Sequence, residues 1–190
     1  KYKDLNGDGK IDDYDKSYVN DGDVPSTYYG FGGDVRWKNF GLGILFQGTA
    51  GAHRFLSGSG INPFTSSSGG GTLYANITDR WSENDPENTN VFYPRLAWGA
   101  KDPSNQNNYQ TSTWWLRDMS FLRLKQFTVS YYFPKAWTKS GILKGGRFYI
   151  MGENVLTFSK FKLWDPELNT SNGISYPNVR TFSLGVNFNI

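Results

Sequence analysis

The sequence predicts an all-β, antiparallel fold, because apolar and polar residues alternate along several segments and because aromatic residues and glycine are abundant. In the final segment, apolar side chains occupy every second position from Phe182 to Ile190, with small or polar residues between them. Such alternation is typical of a strand with one dry and one wet face. Aromatic residues make up 17% of the 190 residues, and 22 are glycine. A helical globule would contain more Ala, Leu, Glu and Lys.

Two more strands are predicted near the start of the chain, over residues 27–37 and 40–50. Their apolar residues are Tyr29, Phe31, Val35 and Trp37, then Phe40, Leu42, Ile44 and Phe46. The two alternating runs are separated by Lys38-Asn39 alone. A two-residue connection of this kind predicts a tight hairpin, in which Asn39 supplies the positive φ that such turns need.

The remaining strands are predicted over residues 116–133 and 147–158. In the first of them the parity of the apolar residues changes between Leu124 and Phe127, which predicts a bulge near Lys125-Gln126. Pro134 should end this strand, because proline cannot donate a ladder hydrogen bond. A short helix is predicted over residues 73–81, within the long connection that precedes these strands.

The connections between the predicted strands have very unequal lengths. Residues 38–39 and 134–146 are short, whereas 1–26, 51–115 and 159–178 are long and rich in Gly, Asn, Ser, Asp and Pro. Long loops at one end and short turns at the other are typical of outer-membrane barrels, and strands of about 10 residues can cross a bilayer when tilted. The sequence therefore predicts an antiparallel transmembrane β-barrel with three extracellular loops, in which the strand 179–190 runs towards the periplasm and closes the barrel.

Composition excludes several other classes of protein. The chain has no cysteine, so disulfides, cysteine-based zinc sites and thiol nucleophiles are excluded. The net charge is +3, and no block of like charge suggests nucleic-acid binding. The sequence contains no run of about 20 apolar residues, so it predicts no transmembrane helix. The chain begins in polar sequence without an initiating Met, so we expect it to be part of a longer protein.

Residues 4–15 match the spacing of a calcium-binding loop. The predicted ligands are Asp4, Asn6, Asp8, the backbone carbonyl of Lys10, Asp12 through water, and Asp15. Gly9 stands at the sixth position, where such loops turn sharply. An Asp at the last position resembles the calcium repeats of dockerins, although a dockerin-like adaptor would carry two repeats. We expect a structural calcium ion; an Asp-Gly turn without metal is the alternative.

No arrangement of residues in the sequence predicts catalysis, so we expect a protein that is not an enzyme. His53 is interpreted as a residue of a loop or rim, and Asp165 and Glu167 flank Pro166 without a fixed geometry. Loop aromatics could instead contact a substrate or a protein lid by offering flat apolar faces. These candidates are Trp98, Tyr109, Trp114 and Trp115. Packing of the loops against one another is the alternative role for them.

Several motifs, in this order along nearly the whole chain, resemble those of the SusC/RagA family of TonB-dependent transporters of Bacteroidetes. They are Asp4-Leu5-Asn6-Gly7-Asp8-Gly9-Lys10-Ile11-Asp12, Tyr29-Gly30-Phe31-Gly32-Gly33 with Phe46-Gln47-Gly48, Asp79-Arg80-Trp81 with Tyr93-Pro94-Arg95-Leu96, Trp115-Leu116-Arg117-Asp118 with Phe121-Leu122-Arg123-Leu124-Lys125, Gly152-Glu153-Asn154-Val155-Leu156-Thr157-Phe158, and Asp165-Pro166-Glu167 with Tyr176-Pro177. Ile190 departs from the family pattern, since many relatives end in Phe.

The resemblance implies a 22-stranded outer-membrane barrel, of which this chain is about the last five strands. It also implies TonB-driven import of oligosaccharides or peptides and a SusD-like surface lipoprotein as a lid. Gly185, Phe188 and Ile190 resemble the signal that the barrel-assembly machinery reads on a closing strand. A secreted, calcium-stabilised β-sandwich that binds carbohydrate is the alternative.

Overall fold

The structure is a computed structural model that describes residues 2–19, 22–64, 74–99, 101–138, 141 and 143–190. The strands are β1 (Thr27–Trp37), β2 (Phe40–Ala50), β3 (His53–Phe55), β4 (Leu116–Asp118), β5 (Phe121–Tyr132), β6 (Gly145–Ser159) and β7 (Thr181–Asn189). One short α-helix, α1, spans Pro103–Asn108. Single 3₁₀ turns cover Asp13–Asp15, Ala75–Thr78 and Lys135–Thr138. No helix within these ranges has the length and hydropathy of a membrane span.

The five long strands form one antiparallel sheet in the order β1-β2-β5-β6-β7. Every long strand therefore pairs with its neighbour in sequence, because β3 and β4 form a separate two-stranded sheet. The described residues contain no second large sheet that could face the first. The β-sandwich alternative is therefore wrong, and the all-β, antiparallel prediction is confirmed.

One face of the large sheet is apolar across its whole width. The strand registers place Val35, Leu42, Val129, Ile150 and Leu184 side by side in a single row. All five side chains are exposed, from 42% for Val129 to 81% for Leu184. A contiguous apolar surface of this extent needs a cover other than water, which in a barrel wall is lipid.

The opposite face of the sheet is polar and rich in small residues. The row next to the apolar one contains Asp34, Gly43, Thr128, Met151 and Ser183. Glycine on this face makes room for large neighbours, since a side chain at Gly185 would overlap the ring of Tyr149. This alternation between an apolar and a polar face is the pattern that the sequence predicted.

The predicted bulge is present and affects three strands. Lys125 has no partner in the ladders on either side of β5, where the register shifts between Leu124 and Gln126. Across from it on β6, Asn154 adopts a φ of 53°. The bulge restores apolar residues to one face on both sides of the shift, which explains the change of parity in the sequence.

The hairpin between β1 and β2 has the predicted two-residue turn, but the residue with positive φ was predicted wrongly. Lys38 has a φ of 54°, whereas Asn39 is not among the residues with positive φ. Asn39 instead forms two hydrogen bonds with β5. Its Nδ2 donates to the carbonyl of Tyr132 at 2.8 Å, and its backbone carbonyl accepts the Tyr132 N–H at 2.7 Å. This contact with a distant strand could not be read from the turn sequence.

Two further predictions about local structure need correction. The strand predicted over 116–133 is divided, because β4 leaves the large sheet to pair with β3 and the chain turns at Met119-Ser120. Met119 is buried, and its N–H donates to the carbonyl of Ala52 at 2.8 Å. In place of the helix predicted over 73–81 there is a 3₁₀ turn at Ala75–Thr78; residue 73 lies outside the described residues.

Candidate functional site: the loop assembly at one end of the sheet

The long loops pack together into a small hydrophobic core at one end of the sheet. Its buried residues are Ala52, Leu56, Ile61, Tyr93, Trp115, Met119 and Phe161. The rings of Tyr93 and Trp115 meet at 6.4 Å, and Phe92 packs edge-on against Tyr93 at 4.7 Å. Such edge-to-face pairs add to the stabilisation that burial itself provides. The loops therefore form an ordered platform of their own.

Of the predicted contact residues, Trp115 belongs to this core and Tyr109 packs against it. Trp115 is 2% exposed, and its Nε1 donates to the carbonyl of Asn108 at 2.9 Å. The Tyr109 hydroxyl donates to the carbonyl of Pro63 at 2.9 Å, and burial raises the pKa of Tyr109 to about 12. For these two residues the structure favours the packing role, since Trp115 offers no free face.

The other two predicted contact residues, Trp98 and Trp114, lie nearer the surface. Trp98 is 70% exposed and is stacked obliquely on Phe64, with the ring centroids 4.9 Å apart. Trp114 is 38% exposed, and its Nε1 donates to the carbonyl of Phe92 at 3.0 Å. Trp98 is thus more exposed than Trp114 and Trp115.

A buried ion-pair cluster, missed in the sequence, connects the loop after β6 to the large sheet. Arg123 of β5 is 1% exposed and donates to Asp165 at 2.5 Å and to Glu167 at 2.8 Å. Asn178 also donates to Glu167, at 2.9 Å. An Arg fork that binds two carboxylates fixes both distance and orientation. The acid pair at 165 and 167 therefore serves as an anchor for its loop.

A second arginine, Arg54, also holds this loop. Nη1 of Arg54, in β3, donates to the side chain of Asn169 at 2.5 Å and to the carbonyl of Leu168 at 3.3 Å. His53, beside it, is paired with Asp118 in the small sheet. The sequence predicted a loop or rim residue at this position, and the structure places His53 in the short strand β3. The small sheet thus connects the two long loops.

The predicted calcium loop has a compact backbone held by its own carboxylates. Asp4 accepts the N–H groups of Gly7 at 2.6 Å and Gly9 at 2.8 Å, and Asp8 accepts that of Lys10 at 2.8 Å. Gly7 and Gly9 have φ values of 78° and 80°, a conformation that favours glycine.

Asp15 and Asp12 complete this loop at its far end. Asp15 accepts N–H groups of Leu5 at 2.7 Å and Asp12 at 2.9 Å, and the Asp12 side chain caps the turn that follows. The bond from the Asp12 N–H, then that from Leu5, lowers the pKa of Asp15. Asn6 also accepts the Asp8 N–H at 3.0 Å. Across the described ranges, no three His, Cys, Asp or Glu side chains are grouped so as to hold a metal ion.

The three residues of the predicted assembly signal lie on β7 or immediately after it. Gly185 faces the ring of Tyr149, and Phe188 packs against Phe133 with centroids 5.9 Å apart. Ile190 is 83% exposed. The terminal strand is an edge of the sheet, since β6 is its single partner within the described residues. It therefore has backbone groups available for another strand.

Comparison with known proteins places this sheet among barrel receptors. No family model matches the chain. The chain is 32% identical over 98% of its length to the TonB-dependent receptors P3 and P26 of Formosa agariphila, and 29% identical over 97% to the TonB-dependent receptor SusC of Bacteroides thetaiotaomicron. It spans 17–19% of the length of these relatives.

Solved structures agree with these sequence relatives. The RagAB peptide transporter superimposes with a TM-score of 0.68 over 94% of this chain and 19% of that chain, at 25% identity. The RagAB peptide importer in its closed-closed state gives 0.66 over 95% and 20%, at 22% identity. The sheet, with its one apolar and one polar face, is thus a segment of an antiparallel β-barrel. Its family is that of the SusC/RagA TonB-dependent receptors, and the resemblance found in the motifs is confirmed.

Proposed function

We propose that this chain forms part of the barrel wall of an importer in the bacterial outer membrane. The apolar row from Val35 to Leu184 carries this proposal, because an exposed row of this width suits lipid and no described part of the chain covers it. The long loops would then face the outside of the cell and the short turns the periplasm. In the full protein we expect 22 strands, of which this chain supplies five. The chain has a transport role in this proposal and no enzymatic one.

The proposed cargo is an oligosaccharide or a peptide, taken up with energy supplied through TonB. Support comes from the relatives: three are TonB-dependent receptors, and the structural neighbours are described as a peptide transporter or importer. Uptake of labelled oligosaccharides and of labelled peptides by cells tests this directly. Deletion of the full-length receptor, or of TonB, should abolish uptake of one of the two classes. Unchanged uptake of every tested cargo in both deletions contradicts the proposal.

A SusD-like lipoprotein is the proposed partner at the loop end, where it would act as a lid. Trp98 supports this, because its large exposed ring lies on the loop assembly. The test is co-purification of the lipoprotein with the full-length receptor carrying Trp98→Ala. Trp137→Ala is the matched control, since Trp137 is 53% exposed in the turn between β5 and β6. We expect weaker co-purification with the first variant alone; equal recovery from both would remove Trp98 from the contact.

We also propose that the loop at residues 4–15 binds a structural calcium ion. Its ligand spacing and the positive φ of Gly7 and Gly9 support this. In the described conformation the carboxylates bind backbone N–H groups of the same loop. Binding would therefore require Asp4, Asp8 and Asp15 to turn at least one oxygen each towards a common centre.

A further inference from the structure

The turn end of the large sheet carries a belt of aromatic side chains that is separate from the aromatic core of the loops. Trp137 contacts Tyr131 and Phe133, with centroids 6.3 Å and 5.7 Å apart. Phe133 also packs against Phe148 at 5.0 Å and Phe188 at 5.9 Å. Trp and Tyr concentrate at the depth of the lipid headgroups, because their rings are partly apolar and partly polar. The belt therefore marks where the apolar face of the sheet meets the headgroup region.

Three exposed lysines of the described residues lie at this same end, and we call them the turn-end lysines: Lys38, Lys135 and Lys144. Lys38 Nζ lies over the ring of Trp37 at 4.6 Å. Lys144 precedes β6 with the parity of Gly146 and Phe148, which places it in line with the outward apolar row. The structure gives none of the three an ion pair within the described part of the chain.

Acidic residues are absent from the sequence around these lysines. No Asp or Glu occurs in residues 35–42, 126–149 or 182–190. The described parts of these segments form the turn end of the five long strands. Asp34 and Glu153 are the acidic residues of the five long strands, and Asp34 lies on the polar face. At the loop end, by contrast, acids and bases are mixed and paired, as in the Arg123 cluster. Among the described residues, the turn end thus presents positive charge without an acidic partner.

We propose that the turn-end lysines bind the phosphate group of an anionic glycerophospholipid in the leaflet that contacts the short turns. This rests on the proposed function, since it requires the sheet to lie in a membrane. Lysine can run its apolar stem along the aromatic belt while its ammonium group reaches the headgroup phosphate. Each lysine near an anionic lipid surface contributes about a fivefold gain in binding. The lipid would fix the height of the barrel at this rim.

The experiment uses the full-length receptor purified in detergent and mixed with phosphatidylglycerol, or with phosphatidylcholine of the same acyl chains. Native mass spectrometry measures the lipid retained. The test variant is Lys38→Gln/Lys135→Gln/Lys144→Gln, and the matched control is Lys101→Gln/Lys160→Gln/Lys162→Gln, which removes three exposed lysines outside the turn end.

Wild type and control should retain phosphatidylglycerol in preference to phosphatidylcholine, and the test variant should lose most of that preference, by about tenfold or more. Salt at 0.5 M should reduce the preference of the wild type, because it screens exposed charges. Equal retention of the two lipids by the wild type, or an unchanged preference in the test variant, overturns the inference. Membrane fractionation is run in parallel: receptor that is absent from the outer membrane would refute the proposed function instead.

Discussion

At the scale of single residues, Arg123 is a buried side chain that pairs with two carboxylates. It is buried at the loop end of β5, and both of its carboxylate partners come from the loop after β6. Neither the alternation of the strand nor the loop sequence predicted this, because an Arg on a polar face is ordinary in a barrel. Its partners are more than 40 residues away in sequence, at 165 and 167.

Replacing Arg123 with Met should therefore loosen the loop 160–178. Removing one partner of a buried ion pair costs about 3–5 kcal/mol, and we expect the lower end because Glu167 is 41% exposed. The measurement is limited proteolysis of the full-length receptor, with the temperature at which the folded barrel unfolds as a second readout. Arg147→Met, which removes an arginine without an ion pair among the described residues, is the control. Equal protease resistance of the two variants would show that the cluster does not anchor the loop.

The calcium prediction is also tested at single residues. Isothermal titration of the full-length receptor with calcium should show a binding event that Asp8→Ala removes. Asp13→Ala should retain it, because Asp13 stands outside the ligand positions and pairs with Lys16 at 2.6 Å. Hydrogen bonding to the Asp12 N–H lowers the pKa of Asp15. The stabilisation of the loop by the ionised Asp15 is therefore complete above the ordinary pKa of Asp, and it is lost as the pH falls through the lowered pKa. Absence of binding at millimolar calcium in the wild type refutes the site.

At the scale of elements, the five long strands were predictable, whereas the short strands β3 and β4 and the packing of the loops were not. Alternation depends on the strand itself, so β1, β2 and β7 appear where the apolar residues alternate, and the change of parity revealed the bulge at Lys125. The positive φ of Lys38 escaped prediction because Asn39 is held by Tyr132 of another strand. The role of Trp115 escaped it because the core of the loop assembly joins segments far apart in sequence.

Contact between the two long loops gives a prediction at this scale. Gly60 lies so close to Asn172 that a methyl group would overlap the Asn172 carbonyl oxygen, and Ser57 N–H donates to the Ser171 carbonyl at 3.0 Å. Gly60→Ala should therefore separate the loops and cost about 1–3 kcal/mol. Hydrogen exchange at residues 57–62 and 170–174 measures the effect. Gly33→Ala, where a methyl group meets no atom within 4 Å, should leave exchange unchanged; faster exchange in both variants would exclude a local clash as the cause.

At the scale of the whole molecule, the terminal strand β7 and the first strand β1 leave two edges on the sheet. Exposed edges promote association with other strands, and closure of a barrel removes them. Deleting residues 188–190 from the full-length receptor should therefore abolish assembly in the outer membrane. The measurement is the heat-modifiable mobility of the folded barrel on gels. A folded barrel in the outer membrane after this deletion would show that these residues are dispensable as an assembly signal.

In the proposed arrangement the sheet spans the outer membrane, with its long loops outside the cell and its short turns in the periplasm. Because the chain has no cysteine, single cysteines can be introduced at Asn88 in a long loop and at Ala136 in the turn after β5, both exposed, in a full-length receptor free of other reactive cysteines. Intact cells are treated with a membrane-impermeant maleimide. We predict labelling of the cysteine at position 88 in intact cells, and of that at 136 only after the outer membrane is permeabilised. Labelling of both in intact cells, or of position 136 alone, would contradict this orientation of the sheet.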